Sequence, residues 1–247
     1  MTTDSQFGSA TWLDAIKASN WMPPPLGKGR PTERLSPHCR ALGRTVEVEG
    51  GYQLTLLLLL DIWQAAGLVE WFRERPFRLT TVEHGLALAP SFIFEWIPTG
   101  AIYVVSFRQK KFQTTELVAE AQEAAKFLDD RGLRYLLWND KEHVTTTAWH
   151  NVRQIHRSGV FAHDTPVLER AIACVPEGGT TLGSLAKSGI DSEIVLNLIW
   201  NGVLHINLLE KRNVSTRVVS AVDPHVYGAL IGSRPDPESW WNALQDY

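Results

Sequence analysis

Cysteine is nearly absent. Cys39 and Cys174 are the only two among 247 residues, far apart and without a CxxC or any zinc-like spacing. This excludes a disulfide framework or a zinc module and reads as two free thiols in a reducing compartment. Long hydrophobic runs are missing too: the longest, Leu54 to Leu60, is interrupted by Thr55 and is far too short to span a bilayer. No charged start followed by an apolar stretch marks the N-terminus as an export signal. The expectation is a cytoplasmic protein with no membrane partner. There is no excess of positive charge: 24 Lys and Arg face 27 Asp and Glu, a net charge of −3. Any nucleic-acid surface must therefore be local. No internal repeat and no low-complexity tract is visible, and the eight histidines form no i, i+4 ligand pair.

Aromatic residues, by contrast, are plentiful. Ten tryptophans in a chain that is 44% hydrophobic and 21% charged imply substantial cores or aromatic contact surfaces in an ordinary globular protein. The length suits one large or two modest domains. Residues 1–44 read as a basic extended arm. Pro23-Pro24-Pro25, Gly27, Gly29, Pro31 and Pro37 oppose regular structure, and five Lys/Arg against Glu33 between Lys28 and Arg44 suit a phosphate backbone. A solvated leader that merely wraps the domain is the alternative.

The spacing then predicts a regular domain over residues 45–158. Gln53 to Ala65 is apolar on more than one face, as in a buried helix ending near Gly67. Phe72 to Thr81 and Leu86 to Trp96 read as strands, with Pro76 and Pro90 near their starts. After the Pro98-Thr99-Gly100 turn, Ala101 to Arg108 is a continuous apolar strand of central type. Thr114 or Thr115 caps a helix running to Asp130, and Leu133 to Trp138 is a further buried strand. This order describes an α/β fold, a mixed sheet flanked by helices. Residues 159–223 form a second unit. Helices to Ala173, over Thr181 to Lys187 and over Ser192 to Trp200 precede a hairpin of Val203 to Leu208 and Thr216 to Val222, the outline of a winged helix-turn-helix. Residues 224–247 read as a tail, mobile but for Trp240-Trp241.

The first domain's segments follow the order of a PD-(D/E)xK nuclease: a helix ending in Leu59-Leu60-Asp61, then Glu74-Arg75-Pro76-Phe77, Ala89-Pro90-Ser91-Phe92, and Tyr103-Val104-Val105-Ser106-Phe107-Arg108. Together with Tyr135-Leu136-Leu137, Asn139-Asp140-Lys141-Glu142-His143, Asn151 and the winged-helix half, the chain over about residues 28 to 220 resembles the TnsA family of heteromeric transposase endonuclease subunits. The resemblance implies a restriction-endonuclease-like sheet, DNA as ligand, and a transposase subunit and an AAA+ regulator as partners. In such enzymes carboxylates hold a hard cation, Mg²⁺, and a lysine orients water or stabilises developing charge.

This sequence departs from that pattern at every motif position. The helix acid falls near Gln53, the strand-start acid is Ser91, the next acid or amide is Ser106, and the lysine is Arg108. Oxygens of Ser and Gln alone bind Mg²⁺ poorly, so no metal site and no cofactor is expected; Mg²⁺ enters only if displaced ligands act. Possible substitutes are Glu83, Glu95, and Gln109 with Lys111, a Gln-x-Lys shifted along the strand. The candidate DNA contacts are Arg108, Lys110 and Lys111; Arg153, His156 and Arg157; and Lys211, Arg212 and Arg217 on the wing. The helix Ser192 to Trp200 carries Glu193 and Asn197 but no Lys or Arg, which suits packing or protein contact better than base reading. The leading expectation is a TnsA-like subunit without catalysis that binds DNA nonspecifically. An active Mg-dependent endonuclease cutting at transposon ends and a winged-helix DNA-binding regulator are the alternatives.

Overall fold

Five consecutive leucines, Leu56 to Leu60, leave a helix no face to offer water, so it must be covered on every side. The computed structural model describes residues 10–18, 23, 33–81 and 86–231, and it buries these leucines to 2% exposure or less. Each contributes roughly 1.5–3 kcal/mol of burial. They lie on α2 (Gly50–Ala65), which is preceded by α1 (Ala10–Lys17) and the short strands β1 (Arg34–Leu35), β2 (His38–Cys39), β3 (Arg44–Thr45) and β4 (Val48–Glu49). After α2 come β5 (Val69–Glu74), β6 (Leu79–Thr81), β7 (Leu86–Leu88), β8 (Phe92–Trp96) and β9 (Ala101–Phe107). Then follow α3 (Thr115–Asp129), β10 (Leu133–Trp138), α4 (Thr146–Gly159) and α5 (Thr165–Ala173). The remainder is β11 (Thr180–Thr181), α6 (Leu182–Lys187), α7 (Ser192–Trp200), β12 (Arg217–Val218) and α8 (Gly228–Ile231). No helix among the described residues is long and apolar enough to cross a membrane.

The fold is mixed α/β. Its main sheet has the order β10-β9-β8-β5; β9 and β10 run parallel, and the other pairs are antiparallel. Strand alternation divides its side chains. Phe72, Phe94, Trp96, Tyr103, Val105 and Trp138 join α2 in one core, whereas Trp71, Ile93, Val104 and Leu133 join α1 and α3 in another. Trp63 of α2 anchors the first, its ring 5.3 Å from Trp96 and 5.0 Å from Tyr227. As the sequence predicts, α3 begins at a Thr114 cap, whose Oγ1 accepts from the Leu117 N–H.

The first core continues through α4, α6 and α7 to Leu230, so no separate core begins at the boundary read at residue 159. The contact is close. A Cβ on Gly202, where φ is +71°, would lie 2.0 Å from the carbonyl oxygen of Ala65, and one on Gly159 would lie 2.1 Å from the Trp200 ring.

Several expectations need correction. The N-terminal region is not wholly irregular: Trp12 and Ile16 stand one turn apart and bury α1 against the sheet, and Arg73 Nη2 donates to the Lys17 carbonyl at 2.5 Å to close it. The predicted strand through Pro76 ends at Glu74. Leu79–Thr81 pairs instead with Leu86–Leu88, and Pro90 separates β7 from β8. No 203–208 strand forms: His205 makes a single bridge to Val219, while β12 pairs with β11. Residues 224–231 are docked, not tail-like, with the Tyr227 hydroxyl donating to the Ile206 carbonyl and Trp138 Nε1 to the Leu230 carbonyl. Lys28, Arg30, Glu83 and Trp240-Trp241 lie outside the described residues.

Arg40 and Arg44, read as belonging to a DNA-binding arm, are used internally. Asp61, fully buried in α2, accepts from the backbone N–H groups of Arg40 and Ala41, both at 3.1 Å, and lies 3.4 Å from Arg40 Nε. Arg40 also donates to the carbonyl of Trp200 at 2.7 Å and stacks 4.5 Å from its ring centroid.

Removing the carboxylate leaves buried donors unmatched, so Asp61→Ala is expected to lower unfolding free energy by roughly 3 kcal/mol or more in urea titrations. Gly202→Ala, which demands both an unfavourable φ and room that does not exist, is expected to cost about 1–3 kcal/mol in the same assay.

Candidate functional site

The first turn of α2 and the facing ends of β5 and β8 enclose a cleft of about 100 Å³, lined among others by Glu49, Gln53, Arg75, Arg78, Pro90 and Ser91. Two ladder-edge bonds fix its floor: the Arg75 N–H donates to the Ser91 carbonyl and the Ser91 N–H to the Val105 carbonyl, each at 2.8 Å. On the helix side, Gln53 Oε1 accepts from the Glu49 N–H at 2.9 Å, which fixes the amide at the rim.

Arg75 is the unusual residue. Its φ of +44° is the one left-handed value at a non-glycine residue among those described. Such a conformation costs about 1–3 kcal/mol, and Pro76 next in the chain disfavours it further. Its Nε and Nη1 atoms are buried without a hydrogen-bond partner. Burial pushes the guanidinium pKa below its ordinary value, while Glu74, Glu47 and Glu49 pull it back up. Glu74 is itself 1% exposed and meets Arg44 Nη2 at 2.7 Å, while its charge also acts on Arg73 and Arg75.

The four motif-equivalent positions do not converge. Gln53 and Ser91 share the cleft. Ser106 instead lies beside the Tyr135 phenol, whose pKa is raised by burial while Ser106 and Arg108 lower it. Tyr135 packs on the α1–α3 core, across the sheet from α2. The α2 side of β9 presents Val105 and Phe107, and Phe107 stacks on Tyr52 at 5.0 Å. A period of two puts adjacent strand residues on opposite faces, which is why the motif separates.

The proposed substitutes lie elsewhere. Glu95 accepts from Trp71 Nε1 at 2.5 Å and from Lys17 Nζ at 3.1 Å, and these bonds, Trp71 first, hold its carboxyl below the usual range. Gln109 precedes a 3-10 turn, Lys110–Phe112, so the shifted Gln-x-Lys is off the strand. Lys111 Nζ sits 4.8 Å above the Phe112 ring. Among the described residues no three His, Cys, Asp or Glu side chains converge as a metal site.

The basic candidates fall into two groups. Near the end of β9, Arg108 is exposed, whereas Lys110 is held by Glu142 at 3.0 Å. On α4, Arg153 lies 4.8 Å from the Trp149 ring centroid, and exposed Arg157 follows one turn later. Arg212 donates to Gln154 and Asn151 Nδ2 donates to the carbonyls of Leu208 and Glu210, so the loop with Lys211 lies along the same helix. Arg153, Arg157, Lys211 and Arg212 thus make one basic ridge. Arg217 is bound to the Gly178 carbonyl at 2.7 Å, and His156 packs on Trp200.

Glu49 and Arg78 were not among the residues singled out from sequence, and Glu74, Arg75 and Arg44 were read only as parts of a motif segment and a basic arm. The available signal was Arg73, Arg75 and Arg78 bracketing Pro76. Asn139-Asp140-Lys141-Glu142-His143 closes a turn: Asn139 Oδ1 accepts from the Lys141 and Glu142 N–H groups, and its own N–H donates to His143 Nδ1 at 3.3 Å. No known protein family matches the chain, and no curated protein matches its sequence.

Burial lowers the His143 pKa from 6.5 to about 4. The folded state therefore takes up its proton later than the unfolded state, and stability falls as pH drops from 6.5 towards 4, by roughly 3 kcal/mol in all. His143→Gln is expected to flatten this slope when urea unfolding is compared at pH 7 and pH 4.5.

Proposed function

We propose that this chain is a non-cleaving, TnsA-like subunit of a transposition machinery, one that grips DNA through its phosphates and contacts a transposase and an AAA+ regulator. One observation carries the absence of cleavage: the cleft at the start of α2 is lined by two guanidinium groups, an amide and a hydroxyl, with Glu49 its single lining carboxylate among the named residues. A hard cation needs several charged oxygens, and arginines repel it. In either register β9 offers no acid, since the choice lies between Ser106 with Arg108 and Val105 with Phe107. The residues present do not fit Mg²⁺.

The restriction-endonuclease-like reading is supported by the order helix, three antiparallel strands, helix, and a fourth strand parallel to the third. The winged-helix reading is supported by α5, α6 and α7 with the β11–β12 ladder. α7 is buried from Val195 to Trp200 and its exposed first turn offers Ser192 and Glu193 but no Lys or Arg, which disfavours the regulator alternative. DNA contact falls to the α4 ridge, and the protein partners rest on the resemblance. The endonuclease remains the second reading because Glu49 stands beside Gln53 in the cleft.

Incubated with supercoiled plasmid and Mg²⁺ or Mn²⁺, with and without a transposase and AAA+ partner, the protein is expected to leave the DNA intact. Nicking that disappears in Glu49→Ala would establish the endonuclease instead. Duplex binding is expected to be sequence-independent and salt-dependent, with Arg157→Ala and Lys211→Ala each reducing the salt slope by about 1. Salt-independent binding, or none, would remove the DNA reading.

A further inference from the structure

We propose that the cleft between α2 and the ends of β5 and β8 is an oxyanion site that takes a phosphate group, with Arg75 as its principal donor and Arg78, Gln53 and Ser91 around it. The first reason is unmet hydrogen bonding. Buried polar groups in folded proteins nearly always have partners, yet Arg75 Nε and Nη1 have none. No carboxylate among the described residues lies within ion-pair distance of Arg75: Glu74 meets Arg44 Nη2 at 2.7 Å and reaches Arg75 only through its field.

The second reason is the backbone. At φ +44° and before a proline, glycine would be at ease and arginine is not. The fold nevertheless holds Arg75 there by the bond from its N–H to the Ser91 carbonyl, in the cleft wall. Strain of this kind points to a side chain kept for its position.

The third reason is chemistry. A guanidinium presents paired N–H donors that match phosphate oxygens. Arg78 adds a second positive charge, and the Ser91 hydroxyl and the Gln53 amide add neutral donors to a space of about 100 Å³. The opposing groups are Glu74, the strongest of the carboxylate fields that reach Arg75, then Glu47, and Glu49 in the cleft wall. Glu49 weakens the site without filling it, so its removal is a diagnostic.

A phosphate could come from a nucleic-acid backbone, from a nucleic-acid 5′ end, or as the free ion; the recognising chemistry is the same. The inference does not rest on the transposition reading. Duplex binding along α4 can fail while this site stands, and the reverse holds too.

Calorimetric titration of the full chain in phosphate-free, low-salt buffer tests it. The probes are inorganic phosphate and two short single-stranded oligonucleotides that differ only in a 5′-phosphate. Binding of at least one probe is expected, weakened tenfold or more by Arg75→Gly and tightened severalfold by Glu49→Gln. Because glycine accepts the backbone geometry, Arg75→Gly should keep or raise the thermal midpoint, which a merely structural arginine would not do. Preference for the 5′-phosphorylated strand identifies an end; equal binding of both strands identifies the backbone; binding of inorganic phosphate alone identifies the free ion. Should Arg75→Gly fail to fold, Arg78→Gln at its exposed position is expected to weaken binding at least threefold. The inference is overturned if the wild type binds none of the three, or if the folded variant binds them all as the wild type does.

Discussion

A single buried carboxylate organises this protein. Asp61 sits on a helix of leucines, where an uncompensated charge would be untenable, and the fold supplies its compensation from elsewhere. Two backbone N–H groups of the turn after β2 and the Arg40 guanidinium surround it. That arrangement fixes the N-terminal strands against α2. Arg40 then continues to the Trp200 carbonyl, which ties α7 to the same point. Segments far apart in sequence are thus held by one charge and its donors.

The cleft lies at the opposite end of α2 and obeys a different rule. At Asp61 the charge and its partners are matched inside the fold. At Arg75 two donors remain unmatched, and the backbone holding them is strained. The matched charge lies at one end of the helix and the unmatched donors at the other.

Much of the architecture was legible in the sequence because periodicity reports burial. α2, β9, α3 and β10 emerged at nearly their observed bounds, each with a strong apolar pattern or a clear cap. α1 did not, since its stripe of Trp12 and Ile16 is too short to stand out from its surroundings. The two-residue strands near Cys39 and at Thr180–Thr181 carry no period at all. The candidate site was only half legible. Gln53 and Ser91 do share a cleft, but the motif order could not say which face of β9 looks at α2, and a step of one residue decides that. Arg40 and Arg44 read as part of a basic arm for phosphate because composition cannot show that Asp61 and Glu74, buried far along the chain, are waiting for them.

The pinch between Gly202 and the end of α2 bears on how such a protein could be divided or reshaped. Where a backbone passes so close to a carbonyl that one methyl group cannot fit, the two sides are in direct contact, and neither keeps its surface when the other is removed. A piece beginning after Gly159 would carry Leu196, Ile199 and Trp200 into water. One core thus runs across the seam that the sequence suggests there. The C-terminal helices reach α2 both directly, at Gly202, and through α4, and the first turn of α2 forms one wall of the arginine-lined cleft.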